Sequence, residues 1–129
     1  KIFPLRLDVG QLTSEEILKL PEKIPFQVDI LVNNAGLALG TESVDTNSIA
    51  DAMTVENTNI MGVVAFTRAF ASGMRERDRG HILNISSIAG HEAYIGGSIY
   101  CATKHAVDAF TRSARHDLRN FERALHPTH

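Results

Sequence analysis

Short apolar runs alternate with longer segments of helical periodicity along this chain, and this alternation limits the possible folds more than any other feature. Apolar runs of about four to eight residues suit strands, and longer segments with apolar positions three and four apart suit helices. The order is strand, helix, strand, helix, helix, strand, helix, with strands predicted over residues 2–9, 28–33 and 81–85. The unbroken run Ile30-Leu31-Val32 is typical of a strand buried on both faces. Strands separated by helices form parallel sheets, so the sequence predicts an α/β fold.

Four helices are predicted between and after these strands. Thr13 and Glu16 form an S/T-x-x-E capping box, which opens a short helix that should end near Pro21. Longer helices are expected over residues 49–56, 59–74 and 98–118. Residues 121–129 show neither alternation nor a β-branched run, so they are predicted to form an irregular tail.

The composition is that of a single globular domain or a part of one, with 129 residues of which 43% are hydrophobic and 22% charged. The net charge is −2 with both signs spread along the chain, which favours small-molecule or protein partners over nucleic acid. Cys101 is the single cysteine, so no intrachain disulfide can form and a cytoplasmic location is expected. No apolar stretch approaches the roughly 18 residues that a membrane span needs, so no membrane partner is predicted.

Tyr100 and Lys104 are the first candidates for chemistry. They are four positions apart on a predicted helix, so both side chains project from one face and can reach the same ligand. A neighbouring ammonium group favours the phenolate form of a tyrosine and makes it a usable general acid or base. Such pairs also meet on many solvated helices, so this spacing is weak support for a function until other motifs accompany it.

Three further motifs accompany the pair. Ser87 precedes Tyr100 by thirteen positions and follows a predicted strand, and the carboxyl ends of parallel strands are where α/β proteins bind ligands. The run Asn33-Asn34-Ala35-Gly36 predicts a tight loop where backbone can approach a flat ligand closely. Asn59 lies on a predicted helix with Gly62 three positions later, and alone it would be read as a solvated residue or a cap for an adjoining segment.

These four motifs in this order resemble the short-chain dehydrogenase/reductase family, over residues 1–120. The resemblance implies a doubly wound parallel sheet of the Rossmann type and hydride transfer between a nicotinamide cofactor and a CH–OH group. Ser87 would then donate a hydrogen bond to the substrate oxygen, and Tyr100 would exchange the proton. Lys104 would tune Tyr100 and bind the nicotinamide ribose, and Asn59 would hold a water that relays protons from Lys104 to solvent.

The resemblance also implies a set of cofactor contacts. Asp8 would meet the adenine edge, although a turn residue closing a strand is the alternative for this position. The other expected cofactor contacts are Val9, Asn33, Ala35, Gly36, Tyr100 and Lys104. Residues 33–41 and 97–104 are similar to NADP-dependent 3-hydroxy acid dehydrogenases that oxidise serine and related acids. NADP is therefore the expected cofactor, with NAD as the alternative.

The sequence departs from the family at both ends. No Gly-x-Gly-x-x-Gly turn is present to place backbone amides on the cofactor pyrophosphate. The family's strand order 3-2-1-4-5 would leave residues 2–9 without their natural neighbours, and no sixth strand or Pro-Gly turn follows residue 120. The chain is therefore expected to be the central part of such a domain, lacking the first βαβ unit and the C-terminal strands.

Two functions follow from these observations. The first is an oxidoreductase that moves hydride between a nicotinamide cofactor and a 3-hydroxy acid, such as serine, or a related small secondary alcohol. The alternative is a non-catalytic binding or interaction fragment of such an enzyme, unable to hold cofactor.

Metal binding and assembly complete the predictions. The six histidines show no His-Glu-x-x-His or similar spacing, and His126 and His129 lie in the predicted tail, so no metal site is expected. Cys101 should be a packed small residue. In the resembling family two long helices often pair into dimers or tetramers, and a homodimer or homotetramer is expected. The stripe of small residues on the last helix would either serve that contact or pack inside its own subunit; it consists of Ala102, Ala106, Ala109 and Ser113.

Overall fold

Two parallel strands with helices before, between and after them make up this chain. The computed structural model describes the backbone of residues 1–125 and the side chains of residues 1–119. The elements are α1 (Ser14–Leu18), α2 (Leu20–Lys23), β1 (Ile30–Asn33), α3 (Ile49–Glu56), a π-helical turn (Asn57–Met61), α4 (Gly62–Glu76), β2 (His81–Asn84), a 3-10 turn (Ile88–Gly90) and α5 (Ser98–Leu125). Among these residues no helix is both long and apolar enough to cross a membrane.

The sheet confirms the predicted α/β class. β1 pairs with β2 in parallel, with Ile30 opposite His81 and Asn33 opposite Asn84. The predicted strand over residues 2–9 is wrong, since none of these residues is in a strand. A strand is stable only where neighbouring backbone accepts and donates its hydrogen bonds. The described residues place no such backbone beside this segment.

The burial of β1 differs from the prediction that both of its faces are covered. Leu31 and Asn33 are buried, whereas Ile30 and Val32 are 63% and 50% exposed. α4 and α1 pack on the buried side, where Leu31 joins a core cluster with Ile17, Leu20, Phe70 and Met74. The apolar run that suggested two covered faces therefore has only one covered face within residues 1–125.

The helices follow the predictions closely, with three differences. The Thr13–Glu16 capping box is confirmed, but Pro21 lies in the first turn of α2 and does not end a helix. The predicted helix over residues 59–74 begins as a π-helical turn. α5 continues to Leu125, so residues 121–125 are helical where an irregular tail was predicted. No glycine or proline interrupts them, and Pro127 is the first helix breaker. Residues 126–129 lie outside the described residues.

Candidate active site

The carboxyl ends of the two strands are locked together by asparagine side chains. The Asn33 Nδ2 group donates to Asn84 Oδ1 at 2.8 Å and to Thr67 Oγ1 of α4 at 3.2 Å. Asn84 in turn donates from Nδ2 to Thr111 Oγ1 of α5 at 2.9 Å. These hydrogen bonds, here called the asparagine ladder, fix both strand ends relative to α4 and α5. It also engages the Asn33 amide inside the fold.

Lys104 is buried at the start of α5 and lies over the end of β2. Only 6% of Lys104 is exposed, and its Nζ donates a hydrogen bond to the Ile85 carbonyl at 3.2 Å. The same Nζ is 5.8 Å from the centroid of the Tyr100 ring. An ammonium has three hydrogens, so the bond to Ile85 leaves Nζ able to donate to further acceptors. The helical spacing of four thus brings the two predicted catalytic groups together as expected.

Ser87 begins the 3-10 turn that packs against α5. Its backbone is extended, and its Oγ accepts a hydrogen bond from Ala89 N at 3.2 Å, which orients the side chain while the hydroxyl hydrogen stays available to donate. The adjacent Ser86 differs, because its Oγ is buried and has no hydrogen-bond partner among the described residues. A Cβ on Gly90 would approach that Oγ to 2.6 Å, so Ser86 is enclosed by its own turn.

Asn59 connects the loop after β1 to the helix that carries Tyr100. It is 1% exposed; its Oδ1 accepts from Leu37 N at 2.9 Å, and its Nδ2 donates to Leu37 O at 2.8 Å and to Thr103 Oγ1 at 3.1 Å. Thr103 Oγ1 then donates to the Tyr100 carbonyl at 2.8 Å. Both Nδ2 hydrogens are therefore engaged within the protein. A proton-relaying water at Asn59 remains a prediction, and it would have to be held by an oxygen of that residue.

The π-helical turn explains how Asn59 reaches this position. In this turn Gly62 N donates to Asn57 O, five residues back, which widens the helix by one residue. π-helical turns inside α-helices are often found at functional sites. The widened turn here presents a fully buried amide to both Leu37 and Thr103.

Gly36 contacts two buried residues of the site, Lys104 and Asn59. A Cβ at Gly36 would lie 3.4 Å from Lys104 Nζ and 3.5 Å from Asn59 Oδ1. The loop after β1, the π-helical turn and α5 therefore meet at one point, and the structure brings these three motifs together. Both distances are ordinary van der Waals contacts, so the Gly36 backbone lies within contact range of the ammonium group.

Of the two cofactor contacts predicted near the N-terminus, Val9 lies beside the loop that follows β1 and Asp8 forms a turn. Val9 lines a small cleft of about 70 Å³ together with Asn33 and Ala35, and its Cγ1 would be 2.4 Å from a Cβ on Gly62. Asp8 instead forms a turn, in which its Oδ1 accepts from Gly10 N at 3.2 Å and its carbonyl accepts from Gln11 N and Leu12 N. This geometry matches the turn alternative, and an adenine contact by Asp8 remains a prediction.

A larger cavity of about 570 Å³ lies elsewhere, between α4, β2 and the second half of α5. It is lined by Met74, Ile82 and Leu118 among others, and by none of the predicted site residues. The candidate site is therefore defined by its hydrogen bonds and buried groups, and not by this larger cavity.

Sequence reasoning missed several residues that build the site. Thr103, Asn84 and Thr111 carry no motif of their own, yet they complete the hydrogen bonds that hold Asn59 and Asn33. A usable signal did exist for Asn84. It occupies the last position of its strand, as Asn33 does, and two such amides at the same edge of a parallel sheet can pair.

The arrangement is that of one large enzyme family. The sequence model of the short chain dehydrogenase family matches residues 1–122, and the chain belongs to this family. The family resemblance and the α/β fold class predicted from the motifs are thereby confirmed.

Two proteins and one solved structure within this family are similar to the chain in sequence. The NADP-dependent 3-hydroxy acid dehydrogenase of Schizosaccharomyces pombe is 46% identical over 117 residues, which are 88% of this chain and 44% of that protein. The Escherichia coli protein of the same description is 52% identical over 118 residues, 91% of this chain and 48% of its own length. A serine dehydrogenase solved in a closed form with NADP⁺ superposes with a TM-score of 0.81 at 45% identity, covering 87% of this chain and 46% of its own. The chain thus spans about half the length of these relatives.

Proposed function

We propose that the whole protein is an NADP-dependent dehydrogenase that exchanges hydride with a 3-hydroxy acid, such as serine, or with a related small secondary alcohol. The observation that carries this proposal is the buried Lys104, whose Nζ lies 5.8 Å from the Tyr100 ring centroid and is anchored to Ile85 O. Burying an ammonium group beside a phenol costs free energy, and a helix face with only a structural role would not require this arrangement. The names of the relatives support the cofactor and the substrate class.

In this function Tyr100 and Ser87 handle the substrate oxygen. During oxidation the alcohol gives its proton to the Tyr100 phenolate, and the Lys104 ammonium stabilises that phenolate until the proton arrives. Ser87 donates a hydrogen bond to the same substrate oxygen. When bound beside Lys104 and Tyr100, NADP⁺ would supply the hydride acceptor for the carbinol carbon. Loss of one proton and one hydride converts the alcohol into a carbonyl compound, which is released.

The described residues fit the nicotinamide end of the cofactor. Gly36 lies within contact range of Lys104 Nζ, and the exposed Ala35 and Asn34 lie on the same loop beside the cleft at Val9. Lys104 retains donors for the ribose hydroxyls after its bond to Ile85. NADP is proposed ahead of NAD because the relatives named above are NADP-dependent.

A non-catalytic binding chain is the second candidate, and one observation favours it. The sheet has two strands within residues 1–125, and no Gly-rich phosphate turn is present in the sequence. Titrating the 129-residue chain with NADPH and following cofactor fluorescence separates the two for this chain. Saturable binding in the micromolar range supports a cofactor site built by these residues, and a flat titration supports the second candidate.

The substrate class is tested by a panel of alcohols with the whole protein, read as NADPH absorbance at 340 nm. We expect L-serine, 3-hydroxypropionate and similar acids to be oxidised in preference to steroids and sugars. Turnover of bulky hydrophobic alcohols alone would contradict the substrate class and leave the dehydrogenase assignment in place.

We also propose that the whole protein forms a homodimer or homotetramer in the cytoplasm. On α5 the side chains of Ala102, Ala109 and Ser113 are exposed, and Ala106 is half-buried. Most of this stripe is therefore not covered by other described residues of the same subunit, and it remains accessible to another helix. Cys101 is a buried free thiol, which is compatible with a reducing compartment.

A further inference from the structure

Tyr94, one of two tyrosines in the chain, has no role in the reaction described above. It lies in the loop between the 3-10 turn and α5, where Gly97 N donates to the Tyr94 carbonyl at 3.1 Å. Its ring covers Gly97 so closely that a Cβ there would be 2.3 Å from Cε2. The ring is thus held against the residue that precedes α5, the helix that carries Tyr100.

The loop that carries Tyr94 is fixed from its other side as well. Gly96 has a φ of +77°, and a Cβ at this position would be 2.7 Å from the Thr41 carbonyl. The loop after β1 and the loop after β2 therefore meet at Gly96. This contact fixes the position of the loop that carries Tyr94 relative to the loop after β1.

The two phenols have different surroundings. Partial loss of hydration raises the pKa of Tyr94, and the neighbouring Cys101 thiol and Tyr100 phenol raise it further. The Lys104 ammonium, by contrast, faces the Tyr100 ring at 5.8 Å. The raised pKa keeps the Tyr94 hydroxyl protonated near neutral pH, so it has a hydrogen to donate. The residue is 54% exposed, so it lies at the protein surface beside the start of α5.

We propose that Tyr94 is a substrate-binding residue whose hydroxyl donates to the carboxylate of a 3-hydroxy acid. This inference rests on the proposed function and adds a recognition group to it. A 3-hydroxy acid carries its carboxylate two bonds from the carbinol carbon, so a donor on the rim beside Tyr100 is suitably placed. A protonated phenol satisfies this need without adding a second charge next to Lys104.

The test compares two alcohols that differ at one group in the whole protein and its Tyr94→Phe variant. 3-Hydroxybutanoate and butan-2-ol share a secondary alcohol, and the carboxylate of the first is a methyl group in the second. The variant keeps the ring over Gly97 and loses only the hydroxyl. A hydrogen bond to a charged acceptor accounts for about tenfold or more in affinity. We expect kcat/KM for 3-hydroxybutanoate to fall by about that factor, chiefly through KM, and kcat/KM for butan-2-ol to change by less than about twofold.

Ile95→Ala provides the matched control, since Ile95 is the fully exposed neighbour of Tyr94 in the same loop. It should leave the ratio of the two kcat/KM values unchanged. An equal loss for both alcohols in Tyr94→Phe, or no loss for either, would overturn the role of Tyr94 while leaving the dehydrogenase intact. If the unsubstituted protein oxidises neither alcohol, the proposed function and the role of Tyr94 fail together.

Discussion

The N-terminal segment and the carboxyl edge of the sheet make an instructive contrast. Residues 2–9 carry the composition of a strand, yet they form none, and Ile2 is 90% exposed. At the carboxyl edge Asn59 and Lys104 are almost fully buried, and each is tied by hydrogen bonds to a separate segment of the chain. Both regions belong to the same family fold, but residues 2–9 contact it through Leu7 and Val9 without forming a strand, whereas the carboxyl edge is held by side-chain hydrogen bonds.

The difference shows where each region finds its partners. The carboxyl edge is built from β1, β2, the helices that connect them and α5, so the hydrogen bonds that hold it lie inside this segment of sequence. A strand over residues 2–9 needs backbone from elsewhere in the sheet. Local sequence preference therefore suffices where partners are near in sequence, and it fails where the described residues offer no partner strand.

The largest expected effect comes from the centre of the well-held region. Tyr100→Phe in the whole protein removes the proton carrier but keeps the ring, so kcat should fall by about 100-fold or more with cofactor affinity nearly unchanged. Stopped-flow rates and NADPH fluorescence titration measure the two quantities. Activity within tenfold of the unsubstituted protein would remove Tyr100 from the mechanism.

A second prediction tests whether the asparagine ladder really holds the strand ends. Asn33→Ala and Asn84→Ala should each lower the free energy of unfolding of the whole protein by about 1–3 kcal/mol, because each leaves a partner amide unsatisfied. The double variant should lose less than the sum of the two. Urea unfolding measures all three, with the exposed Asn57→Ala as control. Strictly additive losses would mean that the two amides are not coupled.

The exposed stripe on α5 gives a third prediction. Ala109→Arg should shift the whole protein toward monomer on a sizing column and leave its circular-dichroism spectrum folded, because a charge at an exposed position stays solvated once subunits separate. An unchanged oligomer would place the subunit contact elsewhere. An unfolded monomer would show that this face is buried inside the subunit.

The smallest effect is expected toward the N-terminus, at the capping box of α1. Hydrogen bonds from the Thr13 backbone and side chain lower the pKa of Glu16. A carboxyl whose pKa is lowered in the folded state contributes stability above its unfolded pKa and loses it as the pH falls through the folded value. Stability should therefore decrease on acidification. Glu16→Gln should reduce that dependence more than Glu22→Gln does, as followed by thermal unfolding between about pH 3 and pH 7.

Much of the site could be predicted from sequence because its chemistry is carried by spacing. Tyr100 and Lys104 share a helical face by geometry alone, and the order of the motifs indicated the family. The partners of Asn59 could not be predicted, because Leu37 contributes only backbone atoms and Thr103 has no distinguishing pattern. The continuation of α5 past residue 118 was missed because the lack of a strand pattern was interpreted as irregular structure, although residues 119–125 are mostly good helix formers without a breaker.

The central claim is that Lys104 serves both Tyr100 and the cofactor from one buried position. The most direct test is Lys104→Ala in the whole protein, with the surface substitution Lys19→Ala as control. NADPH affinity and the turnover of a 3-hydroxy acid are measured on the same preparations, after circular dichroism has verified that they are folded. We predict that the buried variant loses both affinity and rate by about tenfold or more, and that the control loses neither. Loss of rate with unchanged NADPH affinity would contradict the ribose contact, and retention of both would contradict the account as a whole.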